Sequence, residues 1–300
     1  GFTRNDLANW ARLVARQLVG AGVTASDVIQ VCFGNGVFDK ALGYLLGAER
    51  LETSVIPDDP SHIEYQLAML RNYRTTVLVT SPGNARELAR LLESTNVDPQ
   101  GLYLRTILLS RPIPAEERLE LKRRLCADVR CSFGIPEILD PGFCVECPAN
   151  HFHVNEDQFL VESQDGELLV TTLCREATPL LRYRTHISCT ARREACLCGR
   201  TGVILEPGPR TDGRHMVNEV PVYESQVAAV LARTRAAGQV FTTEISEDRI
   251  AISLTVTPEL FSDTMRGLEG LIQEIEAAFL SRLGIPAKVR LVSRARKGAA

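Results

Sequence analysis

Short apolar segments alternate with amphipathic segments through the first 125 residues, and this alternation constrains the fold most strongly. β-Branched and apolar runs predict strands at residues 28–33, 55–57, 76–79 and 106–109. Apolar residues at helical spacing predict helices at residues 2–18, 38–49, 63–73, 85–93 and 115–125. Such alternation is typical of parallel β-α-β units with helices on both sheet faces. The sequence therefore predicts an α/β fold with a mainly parallel sheet, with ligands at the carboxyl ends of the strands.

A turn-rich break, Pro207-Gly208-Pro209 followed by Arg210-Thr211-Asp212-Gly213, separates a second region. The predicted elements after the break are a helix at 224–233, strands at 240–245 and 250–256, a helix at 268–283 and a strand at 287–292. A β-β-α-β order of this kind predicts a small ferredoxin-like α+β domain. We therefore place a large α/β domain at residues 1–208, a hinge at 209–213 and a small C-terminal domain at 214–300.

Composition excludes several classes of partner. The 300 residues are 45% hydrophobic and carry a net charge of -3 with both signs interspersed, which favours a globular protein and does not indicate nucleic-acid binding. No apolar run approaches the ~18 residues of a membrane helix. The first ten residues lack the basic start and apolar core of a signal peptide. We therefore expect a cytoplasmic protein without a membrane partner.

The cysteines indicate a metal site. Nine cysteines are an odd number scattered along the chain, so they do not predict a disulfide framework. Three of them, together with one histidine, make a closed tetrahedral zinc set without an open position, which indicates a structural metal in a loop region at residues 144–200. The four residues are Cys147, His153, Cys196 and Cys198. Cys144 and His151 are close enough in sequence to be alternative ligands, and reduced buried thiols without metal are the other interpretation.

The segment GELLVTTLCREATPLLRYRTHI, residues 166–187, contains a predicted strand and then a second short strand at 180–185. Arg182 and Arg184 alternate in the second strand, so both guanidinium groups are expected on one face. This arrangement indicates an anion site. The alternative interpretation is a solvated edge strand whose charges are paired.

This segment resembles the GELV.TTL..EA.PL.RYRTGD block of phenylacetate–CoA ligases and their relatives in the adenylate-forming superfamily. The runs FTRNDLANWARLVARQL, CFGNGVFDKALGYLLGAERL, VIP and TTVLVTSP also resemble family blocks in sequence and order, so the resemblance covers nearly the whole chain. It implies a protein that uses ATP and Mg²⁺ to convert an aromatic or related carboxylic acid to an acyl-adenylate, which the thiol of CoA then attacks. The resemblance is also compatible with an acyl carrier protein as a partner and with a homodimer.

The same resemblance implies roles for individual residues. ECPANHFHV and CLCGRTG resemble blocks that bind zinc in several relatives. The acid pocket is expected to draw on Phe33, Gly34, Phe38 and Tyr44. The segment Phe133-Gly134-Ile135-Pro136-Glu137 corresponds to the family's YG.SE block, whose glutamate reaches the magnesium on ATP. The alternative for Glu137 is a capping or surface carboxylate.

Further implied positions lie in and after the RYRT block. We assign Arg182 to nucleotide or substrate binding and Arg184, with Glu137, to catalysis. Arg210 and Asp212 match the family's GRTDD hinge, about which the small domain swings between two poses. Lys297 is the only candidate for the C-terminal catalytic lysine, and a mobile tail residue is the alternative interpretation.

Several motifs depart from the family pattern. His186-Ile187 stands where relatives carry Gly-Asp, whose aspartate holds the ATP ribose, and Pro136 replaces a hydroxyl residue that contacts phosphate. Asn218-Glu219 replaces an Arg-Gly pair beside the pantetheine tunnel. The family's phosphate loop comes directly before the position of Phe2-Thr3-Arg4, so we expect either a fragment of a longer polypeptide or a protein that has lost this loop.

We therefore expect a protein of the phenylacetate–CoA ligase type whose ATP half-reaction is impaired. The alternatives are an ATP-independent acyltransferase that moves an acyl group from CoA to a carrier-protein thiol, and a non-catalytic partner subunit.

Overall fold

The fold was analysed in a computed structural model, which describes residues 1–33, 40–217, 220–246, 249–256 and 265–293. The chain divides into two compact units, Gly1–Pro209 and Arg210–Ala300. None of the helices in the described ranges combines the length and apolarity that crossing a membrane requires.

The first helix, α1 (Arg4–Gly20), begins where Thr3 and Asp6 cap each other reciprocally. The amide of Asp6 donates to Thr3 Oγ1 at 3.1 Å, and the amide of Thr3 donates to Asp6 Oδ2 at 2.9 Å. Asp6 also accepts hydrogen bonds from the amides of Glu176 and Ala177 at 2.8 and 3.0 Å. Burial alone would raise the pKa of this carboxyl, but the four donors outweigh it and lower the pKa. The cap therefore also fixes residues 176 and 177 against the start of α1.

The large unit combines helices with one extended sheet. Its other α-helices, within the described ranges, are α2 (Lys40–Arg50), α3 (Ile63–Asn72), α4 (Pro82–Ser94) and α5 (Ala115–Leu125). Its strands are β1 (Val28–Cys32), β2 (Ser54–Asp58), β3 (Val77–Thr80), β4 (Thr106–Leu109), β5 (Asp128–Ile135), β6 (Leu139–Glu146), β7 (Phe152–Val154), β8 (Phe159–Gln164), β9 (Glu167–Thr172), β10 (Tyr183–Arg193) and β11 (Val203–Arg210).

The strands of this sheet follow the order β2-β1-β3-β4-β5-β6-β7-β11-β10-β9-β8. The first five pair in parallel, with Ile29 opposite Val77 and Val77 opposite Thr106. From β5 onward the pairs β5–β6, β6–β7, β7–β11, β8–β9 and β9–β10 are antiparallel. The predicted α/β architecture with its parallel sheet and flanking helices is confirmed, and an antiparallel meander extends the same sheet.

The core lies where the parallel strands are covered by helices. Every residue of β3 and β4 is buried. Strands that are covered on both faces are typically near-continuous apolar runs, as these two are. Leu88 and Leu92 of α4 are at most 2% exposed, as are Leu78 and Ile107 of the sheet. Each such side chain contributes roughly 1.5–3 kcal/mol by leaving water. This core provides the rigid platform on which the loops at the strand ends are held.

Gly43 allows α2 to pack closely against α1. A Cβ atom at Gly43 would lie 2.6 Å from Cζ2 of Trp10 and 2.8 Å from Cδ of Pro141. The Trp10 ring cannot move aside freely, because its Nε1–H donates to the Pro141 carbonyl at 2.7 Å. Gly43→Ala is therefore expected to lower the free energy of unfolding by about 1–3 kcal/mol in denaturant titrations.

The matched control is Gly83→Ala in α4, where the nearest atom to a new Cβ is Ser81 Oγ at 3.8 Å. This variant should raise the free energy of unfolding by about 0.5–1 kcal/mol, since alanine has the higher helix propensity. Equal effects of the two substitutions would contradict the packing explanation.

The small unit has its own apolar core around a three-stranded sheet. Its elements, within the part of the chain that the structure describes, are β12 (Arg214–Val217), β13 (Val220–Tyr223), α6 (Glu224–Leu231), β14 (Phe241–Ile245), β15 (Ile250–Val256), α7 (Met265–Leu283) and β16 (Ala287–Ser293). The pair β14–β15 is antiparallel and β15–β16 is parallel, with α7 as the connection between them. Leu271, Ile275 and Phe279 of α7 are buried against this sheet. The predicted small α+β region is confirmed.

Two local predictions were wrong. The Pro207-Gly208-Pro209 part of the predicted break is not a turn but lies in β11, which ends at Arg210. The next part of the predicted break, residues 211 and 212, does form a bend. Residues 180–185 do not form one strand, because β10 begins only at Tyr183 and Arg182 has a left-handed φ of 47°. The amide of Arg182 donates instead to Thr171 Oγ1 at 2.9 Å. The Thr171 hydroxyl thus takes the place of the backbone carbonyl that would accept this hydrogen bond in a regular β-ladder.

Candidate functional site

Two tight turns bring the predicted metal ligands together. Cys147 follows β6 and begins a turn that two hydrogen bonds close. The Cys147 amide donates to the His151 carbonyl at 2.9 Å, and the Asn150 amide donates to the Cys147 carbonyl at 2.8 Å. In the second turn the Cys196 amide donates to the Arg200 carbonyl at 3.0 Å and the Gly199 amide to the Cys196 carbonyl at 2.9 Å. Gly199 has a φ of 84°, a conformation that favours glycine.

Sheet pairing places these turns beside His153. His153 lies in β7 opposite Ile204 of β11, so the loop after β6 and the loop before β11 meet at one end of the strand pair. The ligand atoms of Cys147, His153, Cys196 and Cys198 all lie within 4.8 Å of one another. The structure therefore brings together all four residues that the sequence pattern singled out.

The spacing of the four residues fits a tetrahedral zinc ion. Two sulfurs bound to one zinc at ~2.3 Å in tetrahedral geometry are about 3.8 Å apart, and a sulfur and a nitrogen are about 3.6 Å apart. The Sγ atoms of Cys147 and Cys196 are 3.7 Å apart, and Cys198 Sγ is 3.4 Å from His153 Nε2. Four soft or borderline donors without a carboxylate favour zinc over magnesium or calcium.

The surroundings modify the protonation of the ligands. Burial lowers the pKa of His153 and the positive charge of Arg200 lowers it further, so the imidazole is held neutral. Burial raises the pKa of Cys147. Burial would also raise the pKa of Cys198, but the amide of Arg200 and the thiols of Cys196 and Cys147 outweigh it and the pKa is lowered. A neutral imidazole and a thiolate are the forms that bind zinc.

The two alternative ligands occupy different positions. Cys144 is fully buried in β6 and belongs to the main apolar core, where burial raises its pKa. His151 is adjacent to the cluster, with Nδ1 at 3.3 Å from Cys196 Sγ. His151 can thus donate to that sulfur without replacing one of the four ligands.

Part of the predicted acid pocket is described. Phe33 and Tyr44 stack with ring centroids 5.8 Å apart, and Tyr44 is only 1% exposed. Burial raises the pKa of the Tyr44 phenol far above its ordinary value, so it stays protonated. Gly34 and Phe38 lie outside the described residues.

The residues of the Phe133–Glu137 segment separate into buried and exposed positions. Phe133 is 7% exposed and contacts Phe143 and Phe152, so its ring is part of the core. A Cβ atom at Gly134 would lie 2.3 Å from Asp140 Oδ1, so this position excludes larger residues. Glu137 is exposed in the turn between β5 and β6.

The structure also reveals a buried ion pair that sequence reasoning missed. Lys40 Nζ lies 3.2 Å from Asp140 Oδ2, and the two side chains are 13% and 6% exposed. This pair lies beside Gly134, since a Cβ atom at Gly134 would clash with Asp140. The signal that could have found it is an aspartate within a mostly apolar strand, since a buried carboxylate requires a partner.

Both arginines of the RYRT block are paired with glutamates. Arg182 Nε lies 3.2 Å from Glu162 Oε2, and Arg184 Nη2 lies 2.7 Å from Glu167 Oε2. The two guanidinium groups are 54% and 59% exposed. They do not leave one strand face together, because Arg182 lies outside β10. The structure thus has the pattern of the alternative interpretation, a solvated edge with paired charges.

Position 187 has no carboxylate. The Ile187 side chain is 6% exposed and belongs to the main apolar core. His186 has a left-handed φ of 56°, and its amide donates to Glu167 Oε1 at 2.8 Å. The backbone therefore keeps the conformation that a glycine at position 186 would favour, while the following side chain is apolar.

The two matched residues of the predicted hinge, Arg210 and Asp212, form a bidentate pair. Arg210 Nε and Nη2 donate to Asp212 Oδ1 and Oδ2 at 3.0 and 2.6 Å. This hydrogen bonding lowers the pKa of Asp212 to about 2. Lys297, Asn218 and Glu219 lie outside the described residues.

Comparisons with known proteins add to this geometry. The chain is 35% identical over 247 residues to a phenylacetate-coenzyme A ligase of Thermus thermophilus, covering 77% of this chain and 56% of that protein. It is 31% identical over 284 residues to a phenylacetate-coenzyme A ligase of Escherichia coli K12, covering 87% of this chain and 63% of that protein. The chain therefore spans less than two thirds of the length of either relative.

Among solved structures, a 2-hydroxyisobutyryl-CoA ligase in complex with 2-HIB-AMP and CoA matches with a TM-score of 0.85. Sequence identity to it is 19%, and the match covers 100% of this chain and 69% of that one. No family model matches the sequence. The likeness to the solved structure establishes the fold of both units, and the curated relatives establish the kinship.

Proposed function

Because this chain is a phenylacetate–CoA ligase-like member of the adenylate-forming superfamily, we propose that it handles an aromatic or related carboxylic acid as acyl-adenylate and CoA thioester, with an impaired ATP half-reaction. ATP, Mg²⁺ and CoA are the family's substrates and cofactor, and Phe33 and Tyr44 are the described candidates for the acid pocket. Glu137 is exposed at the turn after β5 and is the candidate carboxylate for magnesium.

The observation that carries the proposal is the buried, apolar Ile187 at the position that corresponds to the family's ribose-binding aspartate. An isoleucine cannot accept a hydrogen bond from a ribose hydroxyl. A polar group left unpaired on binding costs roughly 1–3 kcal/mol, which corresponds to about ten- to a hundredfold in affinity. The loss affects ATP and acyl-adenylate, both of which contain the ribose, but does not affect the acid itself.

The arginine pairs support the same conclusion. Arg184 and His186 both contact Glu167, so the positive charge beside Ile187 is already balanced by a carboxylate of β9. A phosphate would have to compete with that glutamate for the guanidinium group. The nucleotide therefore gains less from these side chains than from an unpaired arginine.

We also propose a structural zinc ion at Cys147, His153, Cys196 and Cys198. A site with four protein ligands has no open position for a substrate or a water, so its role is to hold the two turns together. The chemistry on the acid therefore takes place elsewhere in the protein.

Calorimetric titrations with ATP·Mg²⁺ test the proposal. The wild-type chain is expected to bind ATP weakly, and His186→Gly/Ile187→Asp is expected to bind it about tenfold or more tightly, because a ribose acceptor is restored. His186→Gly alone is the matched control, because it provides the glycine without the carboxylate. Thermal unfolding confirms that each variant is folded, and Ile187→Asn provides a neutral acceptor if the buried aspartate destabilises the core.

No gain in ATP affinity of the folded double variant over His186→Gly would contradict the proposal, because these two variants differ only in the ribose acceptor. A parallel titration with phenylacetyl-CoA separates the remaining possibilities. Binding of the thioester with transfer to a carrier thiol favours the acyltransferase alternative, and binding of neither ligand favours a non-catalytic partner subunit.

A further inference from the structure

A cleft of about 610 Å³ lies in the large unit beside α1, the end of α2 and the edge formed by β6 and β7. We call it the arginine cleft, because Arg12, Arg16, Arg50 and Arg200 all line it. Among the described residues of the acid, nucleotide and hinge motifs, none lines this cleft. It shares one residue, His153, with the metal set. Its size is that of a small-molecule site.

The cleft has an excess of positive charge. Arg16 forms an ion pair with Asp157 at 2.8 Å, and both side chains are about half exposed. Arg12 donates to the amide oxygen of Asn9 at 2.8 Å, a neutral acceptor that does not compensate its charge. Arg50 is exposed at the end of α2. Among the described residues, the ion pair with Asp157 thus compensates one of the four guanidinium groups that line the cleft.

Two residues that line the cleft each contain a buried nitrogen without an acceptor. Nη1 of Arg200 and Nδ1 of His153 have no hydrogen-bond partner within the described ranges. His153 is 3% exposed, and its other nitrogen, Nε2, lies 3.4 Å from Cys198 Sγ. When Nε2 binds a metal, Nδ1 carries the proton and becomes a donor, which in metal sites is normally paired with a carboxylate, a carbonyl or a water.

Part of the cleft wall is apolar. Val19 of α1, Leu51 just after the end of α2 and Val145 of β6 line the part that is not basic. A site with an apolar wall and several guanidinium groups suits a ligand that has both an oxyanion and a less polar body. Guanidinium groups bind phosphate oxygens bidentately.

We propose that the arginine cleft binds a phosphate-bearing small molecule, whose phosphate oxygens accept hydrogen bonds from the guanidinium groups of Arg12, Arg50 and Arg200. Because His153 also lines the cleft, the bound anion lies close to the metal turns and changes the electrostatic environment of the imidazole. The inference goes beyond the proposed function and does not depend on it.

Isothermal titration with inorganic pyrophosphate tests this site on the zinc-loaded 300-residue chain. The cleft variant is Arg12→Gln/Arg50→Gln, which leaves the metal turns unchanged. The matched control is Arg71→Gln/Arg90→Gln, which removes two exposed charges from α3 and α4. We expect the cleft variant to bind pyrophosphate about tenfold or more weakly than wild type, while the control stays within about twofold.

A second readout follows the imidazole itself. In ¹H–¹⁵N spectra of the histidine side chains, the Nδ1–H resonance of His153 is expected to shift on addition of pyrophosphate. The shift should be reduced in the cleft variant and retained in the control. The proposal is overturned if wild type does not bind pyrophosphate, if both double variants lose affinity equally, or if the His153 resonance does not respond.

Discussion

Cys198→Ser is expected to lower zinc content from about one equivalent per chain to a small fraction of that value and to destabilise the large unit. The two metal turns have little apolar support of their own, since the cluster beneath them contains only Cys147, Cys196 and Ile204 as buried members among the described residues. Metal binding energy is therefore folding energy here, and loss of a ligand should lower the free energy of unfolding by at least roughly 3 kcal/mol.

Elemental analysis by mass spectrometry and thermal unfolding measure these effects. Cys126→Ser is the matched control, because that thiol is exposed and lies outside the cluster. A strong chelator should lower the melting temperature of wild type and of the control but leave Cys198→Ser unchanged. Protein without zinc, with three freely reactive thiols at the cluster, would refute the metal assignment.

This cluster could be predicted from sequence because the residue types themselves indicate metal binding. Four ligand-type residues at short spacings have few other uses, and sheet pairing of β7 with β11 brings the two turns together in space. The regular helices were predictable for the same kind of reason. Helix α5 has the predicted bounds, 115–125, since its apolar and charged residues alternate at helical period.

Other features could not be read from local sequence. Pro207-Gly208-Pro209 has the composition of a turn, yet neighbouring strands hold it in β11. Arg182 follows a strand-like pattern, yet a hydrogen bond to Thr171 holds its backbone in a left-handed conformation. Tertiary contacts override local propensity at both places.

The arginine cleft was missed for a related reason. Its arginines come from α1, the end of α2 and the second metal turn, which are far apart along the chain. Arg12 and Arg16 are spaced four apart on one helix face and were the only local signal. Charged residues at this spacing are common on solvated helices, so the pattern alone did not indicate a site.

The second large expected effect concerns the ATP half-reaction. The resemblance assigns one ribose contact to the position of Ile187 and one phosphate contact to the position of Pro136, and neither side chain can form a hydrogen bond. Two lost contacts of roughly 1–3 kcal/mol each would together reduce the rate of adenylation by about 30-fold to more than 10,000-fold. The glutamate partners of Arg182 and Arg184 further weaken any attraction for the phosphates.

Carboxylate-dependent exchange of radiolabelled pyrophosphate into ATP tests the central claim most directly. The assay covers a panel of aryl acids that includes phenylacetate, with the E. coli phenylacetate-coenzyme A ligase as the positive control. We expect the 300-residue chain to show no exchange above the acid-free background. Robust exchange with any acid would contradict it, because other residues would then have replaced the contacts missing at Ile187.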